Sequence, residues 1–325
     1  MNASSNIPGN IPEMPTAHAA SNEARITANT AASTIMRNVT RRAFFAAAGG
    51  VALLALNACS SAGAGNMDAS HDAPQRNVRG SLSLAGSTSM QKVCEALRET
   101  FMEQFPNVRV SVEYTGSSAG IEALNAKRCD IATSSRELKS TELQAGIVPN
   151  VIAIDALAVI LNPANPITSL TTDQLKSIYT GQLRLWKDCG GASEAIIAIG
   201  RENGSGSRSA FEELLSLKDS ARYAQELDST GAVLAKVAAT PGAIGYISLD
   251  VINNRVHAVA LDGVPPTSDA VAQKRYPLVR PFIMATKGDI SSQTPVVQAW
   301  FNYINSQEGK DVIKAAGLVL PGSAA

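Results

Sequence analysis

Three short segments of the sequence combine glycine with several hydroxyl side chains at the start of a helix-like stretch. They are AGSTSM (85–90), TGSSAG (115–120) and NGSGSRS (203–209), and each follows a strand-like run. A helix that begins there leaves its first N–H groups unpaired, and together with the helix dipole these groups attract anions. Arg201 adds a guanidinium just before the third segment, and guanidinium groups pair well with tetrahedral oxyanions. The pattern therefore predicts an anion-binding site.

A fourth segment, ATSSREL, contributes Ser134 and Ser135, with Glu137 as a capping partner. Hydroxyl groups both donate and accept hydrogen bonds, and glycines allow the backbone to approach closely. This combination suits a ligand that carries several oxygens and a proton.

Each of these features also has an interpretation that needs no ligand. Helices that begin with serine or threonine are most often simply capped, and Thr88 with Gln91, or Ser209 with Glu212, would form such capping boxes. Arg201 could form a solvated salt bridge with the adjacent glutamate. Three such segments beside one arginine in a single chain nevertheless favour a shared oxyanion site.

The composition argues against several other classes of protein. In 325 residues, 28 Lys and Arg balance 28 Asp and Glu, so the net charge does not indicate a nucleic acid or an acidic membrane surface as partner. Aromatic residues make up only 5%, which argues against a base-stacking surface. Beyond residue 80 only His257 and the cysteines Cys94, Cys129 and Cys189 could act as soft ligands, and their spacing fits no zinc pattern. We predict no metal site and at most one disulfide.

The N-terminal part of the chain is predicted to be an export signal. Residues 36–59, MRNVTRRAFFAAAGGVALLALNAC, give a basic start, an apolar run too short to span a membrane, and a cysteine. TRRAFF resembles the twin-arginine consensus, and LNAC resembles a lipoprotein box with Cys59 as the lipidated residue, the alternative being a buried or disulfide cysteine. We expect residues 1–58 to be removed, with Met36 the more economical start, and residues 59–79 to form a flexible tether.

From Gly80 onward, strand-like and helix-like stretches alternate, which is typical of α/β architecture. Helices are predicted from Met90 to Phe105, from Ile121 to Lys127 and, as a pair, from Pro295 to Ala316. VIAIDALAVILNP reads as one long buried strand, and LTTDQLKSIYTG as a helix with a capping box. A compact pair of α/β domains, with the chain crossing between them more than once, fits this order.

The segments AGSTSM, YTGSSAGIEAL, CDIATSSREL, LTTDQLKSIYTGQLRLWKD, IGRENGSGSRSAFEEL, TPGAIGYISL and YPLVRPF, in this order, resemble the substrate-binding proteins of phosphate ABC importers. The resemblance runs from Gly80 to about Pro321. It implies a type II periplasmic-binding-protein fold of two lobes, each with a mixed or parallel sheet flanked by helices, and a ligand cleft between the lobes. We expect lobe 1 in residues 80–156 plus 251–325 and lobe 2 in residues 157–250, with hinge strands near DALAVI and YISLDV.

The resemblance also implies which residues bind the ligand. They are Thr88, Ser89, Ser117, Ser135, Arg201, Ser205, Gly206 and Ser207. Some members of the family place an aspartate at the position of Ser135, where a carboxylate accepts a proton from phosphate and repels sulfate. Here a hydroxyl would have to accept that proton, unless Glu202 or Glu137 does so. Arg136 could add positive charge nearby or point into solvent.

The function implied by the resemblance is binding without catalysis and without a cofactor. The protein would bind inorganic phosphate and deliver it, as a lipid-anchored monomer in the periplasm or on the outer face of the cell membrane, to the permease and ATPase subunits of an ABC importer. Sulfate, molybdate and arsenate are alternative ligands, and a surface adhesion or scaffold lipoprotein is an alternative class. A serine hydrolase is a further alternative, because G-x-S-x-G centres on Ser118 between a strand and a helix, with His257 as the candidate base.

Overall fold

The computed structural model describes residues 78–322 of the chain. The predicted export signal, the predicted lipidation residue Cys59 and nearly all of the predicted tether lie outside the described residues. Of the helices in residues 78–322, none has the length and the apolar character needed to span a bilayer. Cys94, Cys129 and Cys189 are all free thiols, so no disulfide joins them.

Eleven strands lie along the described part of the chain. They are β1 (Gly80–Gly86), β2 (Val108–Glu113), β3 (Ile131–Ser134), β4 (Ile147–Leu161), β5 (Ser169–Leu170), β6 (Ile197–Arg201), β7 (Gln225–Leu227), β8 (Ala243–Ser248), β9 (His257–Ala258), β10 (Ala260–Leu261) and β11 (Val279–Lys287). One curled sheet has the order β2-β1-β3-β11-β4-β8-β6-β7, with β9 also paired to β4, while β5 and β10 pair separately. Strand β1 is parallel to β2 and β3, and β6 is parallel to β7 and β8. Strand β11 is antiparallel to β3 and β4, and β4 is antiparallel to β8.

Nine α-helices lie between these strands in residues 78–322. They are α1 (Gln91–Gln104), α2 (Ser117–Asn125), α3 (Ser140–Gln144), α4 (Thr172–Tyr179), α5 (Gly206–Leu214), α6 (Thr230–Ala239), α7 (Ser268–Ala272), α8 (Pro295–Asn305) and α9 (Gln307–Ala315). Helices α1, α8 and α9 pack on one another, α2 packs on β1 and β3, and α6 packs on β6 and β8. The predicted α/β class is confirmed.

Strand β4 belongs to both halves of the sheet. Its residues 147–156 pair with β11, and from Leu157 onward it pairs with β8 instead. The sequence predicted a long buried strand over VIAIDALAVILNP (151–163), because a segment rich in Val, Ile, Leu and Ala can be covered on both faces. The strand begins four residues earlier and ends two residues earlier than predicted. The change of partner falls within DALAVI, where the first crossing between lobes was predicted.

The two halves of the sheet carry separate hydrophobic cores. In the first, Phe101 packs edge-on against Trp300, with 5.0 Å between ring centroids, among the side chains of β1, β2 and β11. In the second, Trp186, Phe211 and Tyr246 are fully buried together with the second part of β4. Two cores on one sheet define two lobes, as predicted.

The second lobe ends later in the sequence than we predicted. We expected the chain to return to the first lobe at residue 251, but Val259 and Leu278 pack in the second core. The reason is that β9 pairs with β4 and β10 pairs with β5, which holds this stretch in the second lobe. The chain returns only at β11, where Val279 pairs with Ala156. We therefore define the first lobe as residues 78–156 and 279–322, and the second lobe as residues 157–278.

The predicted helices are confirmed with small shifts. The stretch predicted from Met90 to Phe105 is α1, and the predicted C-terminal pair is α8 and α9. Helix α2 begins at Ser117, four residues before the predicted Ile121, so the hydroxyl segment forms the first turn itself. Helix α4 has the predicted capping box, in which the Thr171 hydroxyl accepts from the backbone N–H of Gln174.

Candidate anion-binding site

The three glycine and hydroxyl segments meet where the two lobes face each other. The first two segments follow β1 and β2 in the first lobe, and the third follows β6 in the second lobe. The backbone N–H of Ser118 donates to the carbonyl of Gly204 across this boundary, over 3.1 Å. The hydroxyl of Ser207 donates to that of Ser89 over 3.4 Å. The starts of α1, α2 and α5 therefore converge on one region between the lobes.

The serine hydroxyls of this region form a connected network. Ser87 donates to Ser135 over 2.9 Å, and its oxygen also lies 2.9 Å from that of Ser89. The oxygens of Ser117 and Ser135 are 3.5 Å apart, and the Ser117 oxygen accepts from the backbone N–H of Ser135. Together with Ser207, these buried groups place five hydroxyls from both lobes within hydrogen-bonding reach of one another.

Arg201 ends β6 with its side chain buried, and its guanidinium is held in a fixed orientation. Nε donates to the carbonyl of Leu227, and Nη2 donates to the carbonyl of Asp228 and to the carboxylate of Glu202. Nη1 donates to the hydroxyl of Thr230 over 3.3 Å, which leaves one N–H of Nη1 without an acceptor in residues 78–322. Burial lowers the pKa of Arg201, although the group remains charged. A buried cation with a spare donor is suited to bind an anion.

An aromatic cluster in the second lobe supports both Arg201 and the start of α5. The rings of Phe211 and Tyr246 stack at 3.9 Å between centroids, and Tyr179 packs edge-on against Phe211 at 4.7 Å. The hydroxyl of Tyr246 accepts from the backbone N–H of Arg201 over 3.3 Å. The rigid rings fix β6 relative to α5, which keeps the guanidinium beside the hydroxyl segment.

Thr230, which opens α6, joins this region although the sequence did not single it out. Its hydroxyl lies 3.3 Å from that of Thr88, and its backbone N–H donates to the same Thr88 oxygen. It therefore links Arg201 in the second lobe to the first lobe. The signal was present, because DSTGAV has the same order of hydroxyl, glycine and helix as the three segments we noted.

Arg280 is a second buried arginine of this region that the sequence did not identify. Its Nη1 donates to the hydroxyl of Ser207 over 2.7 Å and to the carbonyl of Ser135 over 3.3 Å. Its Nε donates to Asp155 on the neighbouring strand β4, over 2.9 Å. The available signal in the sequence was a single arginine within an apolar strand. The sequence does not show where that side chain lies, because its position depends on the pairing of Arg280 with Asp155 in the sheet.

Two comparisons of sequence connect this geometry with known proteins. The PBP superfamily domain matches residues 71–308 of the chain. The phosphate-binding protein PstS of Bacillus subtilis (strain 168) is 30% identical over 270 residues, which are 81% of this chain and 88% of that protein. The chain belongs to the PstS family of phosphate-binding proteins. The PstS protein of Borreliella burgdorferi is 29% identical over 73% of this chain and 89% of its own length.

Solved structures agree with this assignment to the PstS family. The structure of a phosphate ABC transporter substrate-binding protein from Clostridium perfringens, solved with bound phosphate, has a TM-score of 0.72 and 36% identity, and the match covers 74% of this chain and 99% of that one. An ABC-type phosphate transport receptor from Vibrio cholerae has a TM-score of 0.63 and 33% identity, covering 74% and 100%. The predicted two-lobed fold is confirmed, and these relatives are phosphate-binding, substrate-binding and transport-receptor proteins rather than enzymes.

The two capping boxes that could have explained the glycine and hydroxyl segments without a ligand are wrong. Helix α5 is capped by Ser205, whose hydroxyl accepts from the backbone N–H of Arg208, so Ser209 lies inside the helix. The hydroxyl of Thr88 is directed to Thr230 and does not cap α1. Thr88 is therefore available to the region between the lobes.

Arg136 neither adds unpaired positive charge to the site nor points into solvent, and Glu137 is not placed to accept a proton from the ligand. Arg136 is buried and forms a two-pronged pair with Glu142, at 2.9 and 2.7 Å, so its charge is balanced and does not reach solvent. The side chain of Glu137 is exposed. Glu202 is closer to the site, but its carboxylate already accepts from Arg201.

The hydrolase alternative is wrong for this PstS-type protein. The hydroxyl of Ser118 accepts from Arg136 Nη2 over 3.3 Å, a group that cannot act as a general base. His257 lies on β9, where it pairs with Leu161 in the second lobe. The relatives are binding proteins, which agrees with this geometry.

Beneath the site, Ser248 lies between two buried carboxyl groups. Its hydroxyl is within hydrogen-bonding distance of both Asp155 Oδ1 and Asp250 Oδ1. One hydroxyl proton can serve only one of them, and Asp155 already accepts from Arg280 and from the backbone N–H of Leu249. Burial, helped by the negative charge of Asp155, raises the pKa of Asp250 to about 7. Asp250, which has no arginine partner within residues 78–322, is therefore the carboxyl group that holds a proton more readily than an ordinary aspartate.

This raised pKa predicts how the stability of the protein depends on pH. Folding favours neutral Asp250, so this contribution is present in acid and lost as the pH rises from the ordinary value of 3.8 through about 7. Relative to Asp250→Asn, the wild-type free energy of unfolding should fall by up to about 1.4 kcal/mol for each pH unit in that interval. Urea unfolding of both proteins at several pH values measures this difference, and parallel profiles would contradict the assignment.

Proposed function

We propose that this protein binds inorganic phosphate between its two lobes and delivers it to the permease and ATPase subunits of an ABC importer. The observation that carries the proposal is the meeting of three helix starts from both lobes around a buried arginine. The relatives named above support it, because two are phosphate-binding PstS proteins and one structural neighbour was solved with bound phosphate. The proposed ligand-binding residues are Thr88, Ser89, Ser117, Ser135, Arg201, Ser205, Gly206 and Ser207.

The proposed ligand-binding residues offer enough hydrogen-bond donors for micromolar binding of phosphate. Micromolar binding requires about 8 kcal/mol, and each hydrogen bond to a charged group contributes roughly 1.5 to 3 kcal/mol. The proposed donors would exceed this amount by themselves. The excess is offset by removing water from a multiply charged anion and by fixing the lobes in the closed arrangement.

Calorimetric titration with phosphate, arsenate, sulfate and molybdate tests the proposal. We expect saturable binding of phosphate and of arsenate, which has the same shape and also carries a proton. Binding of sulfate or molybdate alone would assign the site to another oxyanion. The absence of binding for all four anions would contradict the proposal and favour a surface adhesion or scaffold role.

We also propose that export and lipid modification place the protein, as a monomer, in the periplasm or on the outer face of the cell membrane, where a tether would let it reach the permease. Cys59 follows the apolar run of the export signal at the position of a lipidated cysteine. A single lipid chain binds membranes weakly, so stable attachment would need more than one chain.

Replacing Cys59 by serine should move the exported protein from the membrane fraction to the soluble fraction. The reason is that the lipid is the attachment we propose, and among the helices in residues 78–322 none has the length and apolar character to span a membrane. Fractionation of cells after labelling with a fatty acid measures both the lipid and the location. Cys189→Ser is the matched control and should keep the label, whereas an unlabelled wild-type protein would contradict lipidation.

A further inference from the structure

Arg280 occupies the boundary between the lobes, at the point where β4 leaves the first lobe. It pairs in the sheet with Asp155, and the next pair, Val279 with Ala156, is the last before β4 turns to β8. The side chain of Arg280 is almost completely buried. Its Nη1 contacts one proposed ligand residue from each lobe, Ser135 in the first and Ser207 in the second.

The ion pair with Asp155 does not use the whole guanidinium. Nε donates to Asp155 Oδ2, while Nη2 lies 2.8 Å from the same oxygen without the alignment of a hydrogen bond. Nη2 has no hydrogen-bond acceptor in residues 78–322, although its surroundings exclude water. Asp155 is therefore the ion-pair partner of Nη2, and a buried N–H group that has no further hydrogen-bond acceptor is uncommon in proteins.

The other buried or half-buried arginines near the hydroxyl network also form ion pairs with carboxylates. Arg136 is paired with Glu142, and Arg208 is paired with Glu212 and Glu226. Arg280 reaches the hydroxyl of Ser207 in the opposite lobe, whereas Arg201 reaches that of Thr230 in its own lobe, whose backbone N–H donates to Thr88 of the first lobe.

We propose that Arg280 is a second cationic group of the phosphate site and contacts the bound oxyanion directly. This inference rests on the proposed function. A phosphate that replaced Ser207 as the acceptor of Nη1 would lie among the hydroxyls of Ser89, Ser135 and Ser207, within reach of the remaining donors of the guanidinium. With Arg201 on one side and Arg280 on the other, the site carries two positive groups for an anion that can bear two negative charges.

The double variant Asp155→Asn with Arg280→Gln separates ligand binding from the buried ion pair. It removes both charges together, so the net charge of the protein does not change, and neither partner is left as an unpaired ion. If Arg280 contacts the anion, the affinity for phosphate should fall by about 10- to 100-fold. If Arg280 serves only the ion pair, the double variant should bind phosphate like the wild type, and that result would overturn the proposal.

A second variant keeps the proposal testable if the double variant does not fold. Arg280→Lys retains the charge, but one ammonium group cannot serve Asp155 and the anion with the same geometry. Calorimetry should show a loss of affinity of about 10-fold, with the unfolding temperature measured beside it. An unchanged dissociation constant in this variant would also overturn the proposal. A wild-type protein that does not bind phosphate would contradict the proposed function instead, so the two failures are distinguishable.

Discussion

Replacing Arg201 by alanine should lower the affinity for phosphate by at least about 100-fold, because the variant loses charge-assisted hydrogen bonds and leaves an anion in a buried site with less compensating charge. The guanidinium is well suited to this role, since four of its N–H groups are held by the protein and its orientation is fixed before the ligand arrives. Calorimetric titration of the purified variant with phosphate measures the change directly.

The matched control is Arg184→Ala. Arg184 is an exposed arginine of the same lobe, and its Nε donates to the carbonyl of Gly181. Removing it changes the net charge by the same amount without touching the hydroxyl network, so its dissociation constant should stay within about twofold of the wild type. Equal affinities for the Arg201 variant and this control would show that the guanidinium is not part of the site.

Replacing Gly206 by alanine should weaken phosphate binding by a similarly large factor, about 100-fold or more, through a steric effect. A Cβ atom at this position would lie 2.2 Å from the hydroxyl oxygen of Ser117 and 2.7 Å from that of Ser135. Both belong to the opposite lobe, so the methyl group would obstruct the approach of the lobes rather than the folding of either one. Alanine is a better helix former than glycine, and α5 itself should not be destabilised.

Gly231→Ala provides a control of the same kind. Gly231 is also a glycine in the first turn of a helix, α6, but no atom lies within 4 Å of the Cβ it would acquire. We expect this variant to bind phosphate normally, and both glycine variants to unfold at the wild-type temperature without ligand. If Gly206→Ala binds phosphate as tightly as Gly231→Ala, the ligand does not require the close approach of Gly206 to Ser117.

Much of the architecture could be predicted because its signals are local. Strand β4 is mostly apolar from Val151 to Leu161, interrupted only by Asp155. The hydroxyl segments at the starts of α2 and α5 are readable from glycine, serine and the helical period that follows. The resemblance to the phosphate-importer family also rests on the order of such segments. The residues at the starts of these helices were therefore predicted together, and the structure brings them together.

The features that the sequence did not reveal depend on contacts between distant residues. The limit of the second lobe is set by β9 and β10, each only two residues long, which give no periodic signal. The position of Arg280 depends on which residue of β4 it pairs with. The loss of the Ser209 capping box follows from where α5 begins, since a shift of four residues makes Ser205 the cap.

The most direct test of the site is to locate a bound oxyanion by the anomalous scattering of arsenic in crystals grown with arsenate. We expect one arsenic peak between the lobes, with the arsenate oxygens in hydrogen-bonding contact with Arg201, Ser117 and Ser207. A peak on the outer surface of either lobe, or no peak between the lobes in a protein that binds arsenate in solution, would contradict the proposed site.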